Sequence, residues 1–143
     1  MKIHFFETKE GFDNRAIKGG VYQIELKGAE GQIIPLYIGE SVWITERCGQ
    51  HLYALYNNPS YFGLTSDDLN NDNLSLVFSV LGEVTDKKSV LGVGKYKDME
   101  LRYIKDNNPL TQLNTSDRQI RNINDKVAKV QNEMIRVGMK NRD

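Results

Sequence analysis

The chain has 143 residues, 39% of them hydrophobic and 27% charged, and its 19 Lys/Arg are balanced by 19 Asp/Glu. That length suits one domain with its own core, and no apolar run is long enough to span a bilayer. The single cysteine, Cys48, and two histidines, His4 and His51, exclude an internal disulfide and a multi-cysteine zinc cluster, and they suit a reducing cytoplasm.

The balanced charge hides a split. Residues 1–94 hold 8 Lys/Arg against 12 Asp/Glu, and residues 95–143 hold 11 against 7. Any attraction to a polyanion belongs to the C-terminal part.

In chain order, KIHFF at 2–6 is expected as an edge strand. Glu7, Lys9 and Glu10 follow where a signal peptide would need its apolar stretch. In GVYQIEL, 20–26, Tyr22, Ile24 and Leu26 alternate with Val21, Gln23 and Glu25, which is the period of a strand. A turn at 28–31 leads to LYIG, 36–39, which pairs back antiparallel, with Pro35 just before it or on an open edge.

Ser41 is the expected N-cap of a helix over 42–57. Ile44, Cys48, Leu52 and Leu55 form its apolar stripe, and Asn57-Asn58-Pro59 stops it. Arg47 and His51, four apart, project together at the edge of the buried face. SDDLNNDN, 66–73, reads as a loop. LSLVFSVLG, 74–82, reads as a third strand with Leu74, Leu76, Phe78 and Val80 on one side.

KYKDMELRYIKD, 95–106, is expected as a short helix with Met99, Tyr103 and Ile104 inward, ended by Pro109. Just before it, LGVGKYKD has the Gly-Lys of a phosphate-binding loop but lacks its first glycine and its serine or threonine, so it is set aside. Ser116 to Gln119 has the form of a capping box. Ile120, Ile123, Val127, Val130, Met134 and Val137 then recur three and four apart, predicting an amphipathic C-terminal helix.

These elements predict an α+β fold: a small three-stranded antiparallel sheet flanked by helices, with an additional C-terminal amphipathic helix. The expected divisions are an N-terminal extension at 1–18, a catalytic domain at 19–114, and a C-terminal helix with a basic tail at 115–143.

If the hairpin and first helix are neighbours, Tyr22, Tyr37, Arg47 and His51 can converge, with Glu100 as a further candidate. Phosphodiester hydrolysis needs a proton acceptor, a cation for the developing charge and a carboxylate for a divalent metal. Each residue also has a plain reading: tyrosines as strand formers, Arg47 and Glu100 as solvated charges, His51 as a hydrogen-bonded histidine.

Taken together, these residues resemble the GIY-YIG nuclease family. Gly20-Val21-Tyr22 matches GIY, Tyr37-Ile38-Gly39 matches YIG, and Ser41 follows at the family position. Arg47 stands ten residues after the second tyrosine, and His51 four further on. ELRYIKDNNPLTQ matches the family phrase E-x-x-x-I-K-x-x-x-P-x-x-N at Glu100, Ile104, Lys105 and Pro109, with Gln112 in place of the asparagine.

The resemblance covers about 20–112. It implies a metal-dependent DNA endonuclease that uses Mg²⁺ or Mn²⁺ bound at Glu100. Tyr22 would be the general base or water-positioner, Tyr37 its partner on the neighbouring strand and Arg47 the phosphate clamp, and His51 would assist in proton transfer or hold phosphate. Gly20, Gly39, Ser41 and Gln112 would support the site, the two glycines by letting phosphates approach closely.

DNA is the implied partner, with Lys95, Lys105, Arg118 and Arg121 as candidate backbone contacts. A homodimer through the C-terminal helix and a protein that selects the target are further expected partners, and a bacterial or phage-infected cytoplasm is the expected location. The alternative reading keeps the fold as a DNA-binding or partner-binding module with impaired chemistry.

Overall fold

The computed structural model describes residues 1–83, 100, 102–107, 109–112 and 122–141. Met99, the capping box at 116–119 and Ile120 lie outside the described residues.

Among the described residues, six strands and three labelled helices follow in order. They are β1 (Lys2–Phe5), β2 (Glu7–Thr8), β3 (Gly11–Phe12), β4 (Gly20–Lys27), β5 (Ile33–Ser41), α1 (Ile44–Asn57), α2 (Ser66–Leu69), β6 (Ser75–Glu83) and α3 (Ile123–Arg136). Short 3-10 turns occupy Asn14–Ile17 and Pro59–Phe62. Position 100 and 102–107 are helical, which overlaps the helix expected over 95–106 and runs one residue past it.

The main sheet has four strands in the order β1-β6-β4-β5. Its two antiparallel pairings, β4 with β5 and β4 with β6, match the expected three-stranded set, but β1 runs parallel to β6, from Lys2 beside Ser75 to Phe5 beside Phe78. The sheet is therefore mixed and four-stranded rather than three-stranded and antiparallel. The cause is apolar demand at the N-terminus: Phe6, just beyond β1, is fully buried, and Phe5 and Phe6 pack edge-on at 4.9 Å.

Leu76, Phe78 and Val80 on β6, and Leu74 just before it, are buried as their alternation requires. β5 is longer than the LYIG run and carries Pro35 inside it, at a bulge opposite Ile24 and Glu25. The edge at Pro35 is not open. Pro35 O accepts from Leu110 N at 3.0 Å, and Leu36 O accepts from Thr111 N at 3.1 Å.

One face of the sheet packs on α1, the Pro59–Phe62 turn and α3; on the other, Ile104 closes over Val21 and Ile38. Phe6, Ala16, Val130 and Met134 share one core with the sheet residues, so the first 18 residues and α3 are built into the same body. Among the described residues, no helix is long and apolar enough to cross a membrane.

Three local expectations change. Ser41 is not the N-cap of α1: its Oγ accepts from Trp43 N at 3.0 Å and donates to Trp43 O at 2.9 Å, so it closes a turn and the helix starts at Ile44. The buried stripe of α1 runs Ile44, Cys48, His51, Leu55, with His51 taking the inner place expected for Leu52. The stretch read as a loop begins with α2, one helical turn fixed by a reciprocal Thr65/Asp68 capping box.

α3 docks through that turn. Asp68 is buried and accepts from Lys140 Nζ and Gln131 Nε2, both at 2.8 Å. Burial alone would raise its carboxyl, but these donors and Thr65 hold it below the ordinary carboxylate range. Val130 and Met134 are fully buried. Gly63 lies beneath α3 with φ +74, and a Cβ there would reach 2.5 Å from Val130 Cγ2. Val130 and Met134 of the apolar stripe are thus used within one chain, whereas Ile123 at its start is exposed.

Candidate active site

The hairpin register sets the site. Tyr22 lies opposite Gly39 and Ile24 opposite Tyr37, so the two tyrosines are diagonal neighbours on one face. Their rings stack at 6.1 Å and 30°. Gly39 is what admits them: a Cβ there would fall 2.5 Å from Tyr22 Cζ and 2.8 Å from Tyr37 Cε1, and closer still to the Tyr22 hydroxyl. Gly20 faces the carbonyl of Gly82 in the same intolerant way. The room beside both glycines is filled by protein, not left for a phosphate backbone as expected.

His51 completes an aromatic box. Its ring lies 4.8 Å from Tyr37, 5.7 Å from Tyr22 and from Phe62, and 6.0 Å from Tyr61. His51 Nε2 is 2.7 Å from Tyr22 Oη, and Nδ1 is 3.3 Å from Tyr61 Oη. Satisfying both nitrogens makes it possible to bury an imidazole on the inner face of α1.

Burial and the nearby Arg47 charge hold His51 down to about 3, so the ring is neutral across the physiological range. Burial pushes Tyr22 far above the usual tyrosine range. Tyr37, Cys48 and Glu100 add to the push, and Arg47 acts against it.

This gives a pH dependence with a clear sign. His51's folded pKa lies below its ordinary value of about 6.5, so its share of stability is complete above that pH and drains away as the pH falls. We expect the unfolding free energy from denaturant titration to fall between about pH 6.5 and 4.5 with a slope approaching 1.4 kcal/mol per pH unit. Ordinary carboxylates titrate mostly below that window. His51→Gln should flatten the slope there; an unchanged slope in that variant would refute the assignment.

Arg47 stands at the rim. Burial opposes its charge, but Tyr22, Tyr37 and Tyr61, together with a side-chain hydrogen bond to Tyr37, leave its pKa above the ordinary value. Its Nη1 donates to Gln50 Oε1 at 3.0 Å. Glu100 is 5% exposed, and its charge acts on Tyr22.

Gln112 locks the middle of the YIG stretch. Its Oε1 accepts from Ile38 N at 2.7 Å and its Nε2 donates to Ile38 O at 2.6 Å. The side-chain amide thereby supplies the pair of bonds that another strand would make.

Tyr22, Tyr37, Arg47 and His51 are brought together, Glu100 lies within electrostatic reach, and Gln112 and the glycines buttress them. Ser41 instead borders the groove outside Arg47. Of the candidate DNA contacts, Lys105 is exposed, whereas Lys95, Arg118 and Arg121 lie outside the described residues. Within the basic tail, Lys126, Arg136 and Lys140 bond to the Tyr61 carbonyl, Glu133 and Asp68.

Two residues join the site that the sequence did not single out in this role. Tyr61 meets His51 from the Pro59–Phe62 turn, and Lys126 donates to Tyr61 O at 2.9 Å with its Nζ 5.3 Å from that ring. The only sequence signal for Tyr61 is the Asn58-Pro59 stop, whose cap turns the chain back over α1.

Compared with protein-family models, curated proteins and solved structures, the chain matches none of them.

Proposed function

We propose that the chain is a metal-dependent DNA endonuclease of the GIY-YIG type, which it resembles in sequence. The observation that carries this is the convergence of Tyr22, Tyr37, His51 and Arg47 around one aromatic box, with buried Glu100 near enough to perturb Tyr22.

The donor set suits a hard cation. Among the described residues, no group of three or more His, Cys, Asp or Glu gathers to cage a metal, and one carboxylate is what Mg²⁺ or Mn²⁺ needs when water and phosphate complete its shell. Glu100 would hold that ion. Bound there, it supplies Lewis-acid stabilisation of the phosphoryl and leaving oxygens.

The chain's own residues divide the remaining work. Arg47, fixed by Tyr37 and Gln50, offers a fork of N–H donors to a phosphate at the rim. Tyr37, 8% exposed, is the phenol nearer the solvent, and Tyr22 is fully buried behind it. A resident Tyr22 phenolate and a charged His51 are both disfavoured by burial, so the proton moves as a relay: Tyr22 accepts one from the attacking water as it passes its own to His51 Nε2, and His51 gives up its Nδ1 proton to the Tyr61 hydroxyl, which passes a proton on to solvent. Each ring is neutral before and after the transfer.

Supercoiled plasmid incubated with the protein and Mg²⁺ or Mn²⁺ tests the reading. Conversion to nicked circles, stopped by EDTA, is the expected result. No conversion with either ion would leave the impaired binding module as the better reading.

A further inference from the structure

Trp43 stands 51% exposed beside Val42 at 80%, immediately before α1. Both bonds from Ser41 Oγ to the Trp43 backbone hold this step rigid. An open groove of about 220 Å³ runs here, lined by Ser41, Val42, Trp43, Glu46, Arg47 and Gln50. Its inner wall is Arg47, the cation that also faces Tyr22 and Tyr37.

The dimensions narrow the occupant. Two apolar side chains are far too few for a stable protein interface, which needs about 800 Å² per partner. The groove is also smaller than the roughly 300–1,000 Å³ of ordinary small-molecule pockets. An indole face beside a guanidinium does match one nucleobase joined to one phosphate. Glu46 on the rim repels a phosphate from its side, which directs the phosphate to Arg47 and the base to Trp43.

We propose that Trp43, flanked by Val42, is a stacking platform for an unpaired nucleobase next to the phosphate held at Arg47. The chain consequently prefers DNA carrying a bulged or frayed base over unbroken duplex. This rests on the nuclease reading and adds the substrate feature that the site selects.

Trp43 is the one tryptophan in the chain, so its emission reports this platform directly. The probes are two short fluorescein-labelled duplexes, one fully paired and one with a single bulged base, titrated without metal. Binding is read by anisotropy and stacking by tryptophan quenching. The bulged duplex should bind more tightly and quench the emission. Trp43→Ala should weaken that binding on the order of tenfold and the paired duplex much less, while Trp43→Phe keeps most of the preference.

DNA binding without quenching, with Trp43→Ala unchanged, overturns the platform and leaves the nuclease reading intact. Quenching by the bulged duplex with no plasmid nicking keeps the platform and sinks the nuclease reading. No DNA binding overturns both. The wild-type quenching measurement decides even if the alanine variant does not fold.

Discussion

Glu100→Gln should leave a folded protein that no longer nicks plasmid. The substitution keeps the size of a buried side chain and one acceptor oxygen, while it removes the charge and turns the other oxygen into an NH2 donor. Losing the carboxylate that holds the cation forfeits several kcal/mol of transition-state stabilisation, a fall of about 10²–10³ or more in rate. Arg47→Ala should cost a similar 10²–10³, as removal of a preorganised charge stabiliser does elsewhere. Arg47→Lys should recover little, because an ammonium cannot reproduce the fork that meets Tyr37 and Gln50. Nicking rates are measured on plasmid, with circular dichroism to confirm folding. Wild-type nicking by Glu100→Gln would remove the metal ligand from the scheme.

Gly39→Ala should give the largest loss of stability. The new methyl has nowhere to go, since Tyr22 and Tyr37 already occupy its place. Overpacking of this kind costs roughly 1–3 kcal/mol, and moving Tyr22 also breaks its bond to His51. A drop in Tm on the order of 10 °C follows for a chain of this size.

A double-mutant cycle locates the clash. Tyr22→Phe deletes the atom nearest the added methyl, so Gly39→Ala should cost less in a Tyr22→Phe background than alone. Strict additivity would show that the clash lies elsewhere. Tyr22→Phe itself should cost about 1–3 kcal/mol, because it strands His51 Nε2 without a partner in the core.

The sequence was most readable where local periodicity and packing agree. The β4 and β6 faces follow simple alternation, and α1 begins and ends within two residues of its expected bounds. The convergence of Tyr22, Tyr37 and Arg47 was legible because strand register and helical spacing are short-range rules. His51 was placed only at the margin of the buried face: helical geometry locates an imidazole, but its burial depends on acceptors and donors from β4 and the Pro59–Phe62 turn.

Long-range pairings were hidden for the same reason. Nothing local tells KIHFF to run parallel to β6, more than seventy residues away, rather than antiparallel. The basic C-terminal residues looked like a phosphate track by composition. Folding instead assigns Lys140 to a buried aspartate and Lys126 to a carbonyl, choices fixed by tertiary neighbours rather than by net charge.

The amide clasp between Gln112 and Ile38 closes over 74 positions. A chain emerging from a ribosome therefore completes its hairpin long before the strand at Tyr37 acquires its outer neighbour, because local contacts form ahead of distant ones. Until residue 112 is available, that strand has an unsealed flank.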